Sequence, residues 1–229
     1  MFLEGYGPAI IAGLGTTLRI SALSLLVACA FGLLGAVAKL SQSRWAQRIA
    51  GLYITIIRGV PELVLMLLVF YGGPGALNWV GDQLGLDYID VDPFLAGTLT
   101  LGFIFGAYLT ETFRGAILAI PAGQAEAAYA FGMGRGQVLR RVVLPQMVRH
   151  ALPGFTNTWL VMVKATALVS IIGLDDMVHR AGLAASATRQ PFTFYAALGA
   201  IYLAITTVSL VLLTVVGRRY NVGVRAVDR

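Results

Sequence analysis

Cysteine occurs once in the 229-residue chain, at Cys29, and a single thiol excludes both an internal disulfide and a cysteine-based metal site. Cys29 lies in an apolar run, where a thiol acts as a small hydrophobe. Histidine occurs only as His150 and His179, without H-E-x-x-H spacing or a Ser/His/Asp arrangement, so neither a metal site nor catalytic residues are expected. The pattern G-x-x-x-x-G-K-[ST] is missing, and the chain cannot by itself cradle ATP phosphates in the usual manner. Gly132-Met-Gly-Arg-Gly136 has no strand before it and is the wrong context for a dinucleotide loop. Charge is scarce as well: 12% of residues are charged, against about 25% in a typical soluble domain. With 58% hydrophobic residues and a mean hydropathy of +0.79, the composition describes an integral membrane protein. No repeat of 20 to 50 residues and no low-complexity linker divides the chain, so one membrane domain over 1–229 is expected.

A membrane-spanning helix needs about 20 mostly apolar residues, and five stretches qualify. They run over about 8–38, 52–71, 94–117, 154–174 and 192–216, which predicts an all-α fold of five transmembrane helices. The first run has no basic residue until Arg19 and no clear cleavage site, and it is expected to be retained as a span. Gly32, Gly35, Gly102 and Gly106 are candidates for close helix packing. The intervals are polar. Residues 39–51 are basic with Trp45 as an interfacial anchor, 72–93 is expected as a loop with four aspartates, and 175–190 as a second polar loop.

The segment from Gln124 to Pro153 is polar and basic between two long apolar runs, so it is the place where the chain can touch a soluble partner. An Ala-rich piece over 121–131, with Glu126 near its start, suits a helix and the positive end of its dipole. Gly132, Gly134 and Gly136 allow a stop and a turn. A second piece over 137–149 sets Val138 and Val142 apart from Arg140, Arg141 and Arg149, as an amphipathic helix would, with Pro145 and Pro153 expected to limit its length. A basic hairpin lying on the membrane surface is the plainer reading, but it needs no glycine or Leu-Pro at fixed offsets. Glu126-Ala127-Ala128, three residues, Gly132, nine residues, Val142, one residue, Leu144-Pro145 resembles the EAA loop of bacterial ABC importer membrane subunits, with Val142 where Ile is commoner. In that family the loop of about 121–153 forms the coupling helix that sits in a groove of the ATPase. The resemblance therefore implies ATPase coupling for Glu126, Ala127, Ala128, Gly132, Arg135, Leu144 and Pro145.

Five alternating spans put Lys39, Arg44, Arg48, Arg135, Arg140, Arg141, Arg149, Arg218, Arg219, Arg225 and Arg229 on one side. Only Arg180 and Arg189 fall in loops on the other. The positive-inside rule then places the N-terminus in the periplasm and the C-terminus in the cytoplasm of a bacterial inner membrane, with the EAA-like loop on the cytoplasmic face. An even number of spans would break this agreement.

Charges inside spans cost roughly 2.5 to 3.5 kcal/mol each on insertion scales and normally face a cavity or a partner. Arg58, Glu62, Glu111, Arg114 and Lys164 fall within expected spans. Arg58 and Glu62 are four apart and would share a helix face but for Pro61; Glu111 and Arg114 are three apart. One reading is that these groups neutralise one another and pin helices together. Another gives Glu62, beside a proline break, a place in a solute site. Thr166 and Ser170 are polar candidates for lining such a site, and Asp175 and Asp176 for receiving a cationic solute at its mouth, against an ordinary role as loop acids.

The resemblance extends over nearly the whole chain. Residues 58–65 (RGVPELVL), 106–115 (GAYLTETFRG), 164–173 (KATALVSIIG), 38–42 (AKLSQ) and 218–224 (RRYNVGV) look like the polar amino-acid uptake branch of the family, in its Q-type subunits. That branch implies a type I importer fold and transport of basic amino acids (histidine, lysine, arginine, ornithine) by alternating access, with opines or other polar amino acids as the alternative. It also implies a heterodimer with a homologous M-type subunit, two copies of an ATPase that carry the ATP and Mg²⁺, and a periplasmic amino-acid-binding protein. The chain itself is expected to bind no cofactor and no nucleic acid and to contact membrane lipid. An ion-coupled carrier working alone is a competing class, with the intramembrane acids as ion sites.

Overall fold

The structure is a computed structural model that describes residues 2–88 and 90–220, and no strand occurs among the described residues. After a 3-10 turn, Phe2–Gly5, helix α1 runs over Gly7–Leu40 with Pro8 in its first turn, where a missing N–H breaks no helix bond. At 1.5 Å per residue it is about 50 Å long, more than a bilayer core of about 30 Å requires. Ser43 caps α2, Arg44–Gly59, by accepting from the Ala46 N–H at 3.4 Å. Ala50, Ile54 and Ile57 recur at spacings of four and three and form the buried stripe of this helix.

Pro61 forces an ending. It drives Val60 into extended backbone (φ −112°, ψ 138°), and the chain restarts as α3, Glu62–Gln83. The span expected over 52–71 is therefore two helices. In turn α3 continues through Pro74 to Gln83, so the first half of the loop expected over 72–93 is helical. Asp92 caps α4, Pro93–Leu118, by accepting from the Leu95 N–H at 3.0 Å. The short helices α5, Ala122–Ala130, and α6, Arg135–Val138, follow, then one π turn, Leu139–Val143, and α7, Leu144–Ala165. A 3-10 turn, Thr166–Ser170, leads to α8, Met177–Thr188, and α9, Pro191–Tyr220. The loop expected over 175–190 is thus mostly α8, and the segment expected over 154–174 is the later part of α7 plus the 3-10 turn. Pro153 lies inside α7 without ending it. Arg225 and Arg229, and residues 221–224 of the tail motif, lie outside the described residues.

Four helices, α1, α3, α4 and α9, are long and apolar enough to cross a membrane. Their packing follows from contacts that advance in step. The Ser24 hydroxyl donates to the Thr98 carbonyl at 3.0 Å, Val27 meets Gly102, Phe31 meets Gly106 and Gly35 meets Thr110, so α1 and α4 run in the same direction. The approach depends on glycine: a Cβ at Gly32 would stand 2.7 Å from the Leu109 side chain. The return leg between them is α2 plus α3, with Ala46 and Ala50 of α2 facing Gly35 and Ala38 of α1. Helix α7 is antiparallel to α4, since Gly154 meets Thr112 whereas Val169 meets Gly97. Helix α9 returns once more, with Phe194 against Tyr6 (ring centroids 5.9 Å apart) and Gly217 against Leu152. The legs α1, α2–α3, α4, α7 and α9 alternate in direction, and Tyr6 and Tyr220 lie at opposite ends. The most enclosed leg is α4, whose Leu101, Ile104, Ala107 and Leu109 are fully buried.

Candidate functional site

The alternation of the legs brings three basic segments to one end of the bundle: the α1–α2 turn with Lys39, Arg44 and Arg48, the hairpin with Arg135, Arg140 and Arg141, and the end of α9 with Arg218 and Arg219. The hairpin hangs from α4 and α7. Its first arm, α5, ends at Ala130 with Phe131 as its C-cap, and Gly132 turns the chain with φ +79°, a left-handed conformation that suits glycine. The Gly134 N–H donates to the Gln137 side chain at 3.1 Å and starts α6. Pro145 explains the π turn that follows. Its ring lacks an N–H and crowds the carbonyl four residues back, and the Leu144 N–H reaches to Leu139, five residues back, across a widened turn. Glu126, Ala127, Gly132, Arg135, Leu144 and Pro145 are exposed, whereas Ala128 is buried and anchors α5. Tyr129, Phe131 and Leu139 share the exposed surface, Phe131 at 88% exposure. They escape a reading of the motif because none of them occupies a motif position.

A second cluster lies where the return leg is broken. Arg58 lies in the last turn of α2 and Glu62 opens α3, so they share no helix face as an i,i+4 pair; both instead reach Tyr108 of α4. The Arg58 guanidinium lies over the Tyr108 ring, 5.3 Å from its centroid, and the Tyr108 hydroxyl donates to Glu62 Oε1 at 3.4 Å. No pattern in the sequence marks Tyr108 by itself; the signal that could find it is its place three residues before Glu111 on the same face of α4. Glu111 and Arg114 do pair, with Arg114 Nη2 2.7 Å and Nε 3.0 Å from Glu111 Oε2, both half-buried. Lys164, at the end of α7, is exposed and has no ion-pair partner among the described residues.

At the opposite end the expected solute-facing groups are largely engaged. Thr166 is fully buried and donates to the Val163 carbonyl at 2.6 Å, while half-buried Ser170 donates to Ala167 at 2.7 Å. Asp175 is exposed and bidentate with Arg180, at 2.6 and 2.8 Å, which holds its carboxyl below the usual carboxylate range. Arg180 in turn donates to the Ala9 carbonyl at 3.0 Å, fastening α8 to α1. Asp176 is not an open loop acid: it is fully enclosed, caps α8 through the His179 N–H at 2.8 Å, and is pushed upward in pKa by burial.

An all-helical bundle with alternating legs, four of its helices able to cross a membrane and a basic exposed hairpin at one end, is the architecture of a membrane permease. Residues 28–222 match the binding-protein-dependent transport system inner membrane component family, and the chain belongs to that family. It is 53% identical over 226 residues to the histidine/lysine/arginine/ornithine transport system permease protein HisQ of Salmonella typhimurium, covering 99% of each chain. The nopaline transport system permease protein NocQ of Agrobacterium fabrum is 42% identical over 208 residues, covering 90% of this chain and 88% of that one. Among solved structures, an amino acid ABC transporter crystallised with histidines superposes with a TM-score of 0.79 at 34% identity, covering 96% of this chain and 98% of that chain.

Proposed function

We propose that this chain is the permease subunit of an ATP-driven importer for basic amino acids of the histidine, lysine, arginine and ornithine class. The observation that carries the reading is the hairpin. It is an exposed, basic element bearing Glu126-Ala127-Ala128 and Gly132, fixed to α4 on one side and to α7 on the other, so that a force on it reaches two legs of the bundle. The 53% identity to HisQ over almost the full chain supports the solute class over the opine class of NocQ.

The basic end then faces the cytoplasm, which sets the N-terminus in the periplasm, and all five legs cross the inner membrane. ATP with Mg²⁺ is handled by two copies of a separate ATPase docked on the hairpin, and a periplasmic amino-acid-binding protein delivers solute to the other end. A homologous permease completes the translocation path beside this chain. Glu62, held by the Tyr108 hydroxyl at the break of the return leg, is the contact for a cationic side chain, and Arg58 across the same ring limits the net charge of the site. Solute binding biases the two states of the bundle only by its differential affinity for them.

The test is uptake of labelled arginine into vesicles. The whole complex with binding protein is expected to transport only when ATP is enclosed with the ATPase, and this chain alone is expected not to transport under any ion gradient. Gradient-driven uptake by the chain alone overturns the importer reading, and ATP-driven uptake of octopine but not of arginine overturns the solute class.

A further inference from the structure

The basic residues of α7 and α9 meet no acid within those helices: neither Leu144–Ala165 nor Pro191–Tyr220 contains an aspartate or a glutamate. Where α7 begins and α9 ends, the two antiparallel helices leave an open groove of about 290 Å³. Arg149 of α7 and Arg218 of α9 both line it, one from each wall. Neither has an ion-pair or hydrogen-bond partner among the described residues, and Arg149 is half-buried. A guanidinium partly withdrawn from water with nothing to compensate it calls for an anion. Deeper in the groove come Thr156, about two turns past Arg149 on α7, and Thr214, about one turn before Arg218 on α9. Their hydroxyls make no hydrogen bond among the described residues. Leu152 and Leu213 supply the apolar wall between these polar levels. Gly217 keeps the space open, since a Cβ there would stand 4.0 Å from the Leu152 side chain. Of the four helices able to cross a membrane, α9 alone has no buried residue in its most apolar stretch, and Leu210, Val211 and Val215 are exposed just before the groove's bases. The groove thus opens where the apolar run of α9 gives way to charge, at the boundary between lipid and water.

We propose that this groove binds one anionic phospholipid, with the phosphate between Arg149 and Arg218, ester oxygens accepting from the Thr156 and Thr214 hydroxyls, and an acyl chain continuing along the exposed apolar side of α9. Two features choose this occupant. Both walls of one opening carry a positive charge that nothing else neutralises, which an anionic headgroup corrects and an apolar helix from a partner does not. The order base, hydroxyl, apolar surface along the groove is the order phosphate, ester, acyl chain of a lipid, and a free anion uses only the first of the three. The site goes beyond the importer reading and depends neither on the solute nor on the hairpin, and its readout is bound lipid and not uptake.

The experiment reads lipid retained by the purified complex after exchange from nanodiscs containing equal phosphatidylglycerol and phosphatidylcholine, by native mass spectrometry. The wild type is expected to keep phosphatidylglycerol about tenfold over phosphatidylcholine, as two bases near an anionic headgroup provide. Arg149→Gln with Arg218→Gln is expected to abolish the preference, whereas Arg219→Gln, the next base along α9 but outside the groove, is expected to keep it. Gly217→Leu, which fills the groove and leaves both bases, is expected to lower retention of both lipids, and Thr214→Phe at an exposed position does the same if the first variant fails to assemble. Free glycerol phosphate in excess is expected not to displace the lipid. The proposal is overturned by a preference that survives the double charge variant or is lost equally in Arg219→Gln, by retention indifferent to both groove fillers, by displacement with glycerol phosphate, or by crosslinking of Thr214→Cys to a partner protein in place of lipid.

Discussion

Asp176 has one carboxylate oxygen bonded to the His179 N–H and the other buried without a hydrogen-bond partner among the described residues. Burial raises its pKa above the ordinary 3.8, and the nearby Asp175 adds to this, while the backbone N–H groups of His179 and Val178 oppose it. Between 3.8 and the raised folded value the native state binds more protons than the unfolded one. This contribution to stability is therefore fully present below 3.8 and lost as pH rises through the folded pKa. Asp176→Asn keeps an acceptor for the cap and removes the enclosed charge. Its thermal midpoint in detergent is expected to exceed that of the wild type at neutral pH by the equivalent of about 1–3 kcal/mol, and to lack the acid-range slope. A midpoint below the wild type's at pH 7 would show that the charge is compensated by an unseen partner. Glu62 calls for a kinetic test. Glu62→Gln is expected to cut kcat/KM for arginine uptake by about tenfold with assembly intact, and Tyr108→Phe, which keeps the ring under Arg58, by less. Equal uptake by Glu62→Gln and wild type places the solute contact elsewhere.

Among the elements, the sharpest constraint is the crossing of α1 with the chain before α8. A Cβ on Gly13 would stand 2.8 Å from the Asp176 carbonyl oxygen and from the Met177 N and Cα, all backbone atoms with no rotamer to yield. Gly13→Ala is expected to destabilise the permease by about 1–3 kcal/mol and to weaken the bond from the Met177 N–H to Thr17 Oγ1, now 3.3 Å, as read by thermal unfolding and by amide exchange at Met177. Unchanged exchange would mean that α8 moves freely with α1. Apolar run length made α1, α4 and α9 legible in the sequence to within a few residues, because a helix in lipid must satisfy its own backbone and little else competes. Run length and polarity alone misjudge four places. Pro61 reads as a break within a span, yet it separates two helices. Pro74 and Pro153 sit in continuing helices, where packing outweighs a lost N–H bond. The segment 177–188 looked like loop from its polarity, but Asp176 at the N-cap and the small residues Ala181, Ala184 and Ala185, all buried, make it a helix against α9 and α1.

Taken as one molecule, the chain separates its charges by end. Bases gather where α1, α4 and α9 finish, and Asp82, Asp87, Asp92, Asp175 and Asp176 where α4 and α9 begin, a division that alternation of five legs imposes on charges scattered along the sequence. The hairpin was legible because its glycine and Leu-Pro spacing is local. The cluster of Arg58, Glu62 and Tyr108 was legible only in part, since it joins three helices whose register no local pattern fixes. On the hairpin surface, Phe131 at 88% exposure is the largest apolar group offered to a partner, and burying such a side chain contributes roughly 1.5–3 kcal/mol. Phe131→Glu is therefore expected to weaken retention of the ATPase by at least about tenfold in co-purification. ATP-driven uptake should fall in proportion, while membrane insertion and thermal stability of the permease stay unchanged, because Phe131 supports no contact within the bundle core. Arg140→Gln, on the same hairpin but without an apolar surface to lose, is expected to have a smaller effect. Full retention of the ATPase by Phe131→Glu, with uptake equal to wild type, would move the docking surface off the end of α5 and leave the arm between Arg135 and Leu144 to transmit the force.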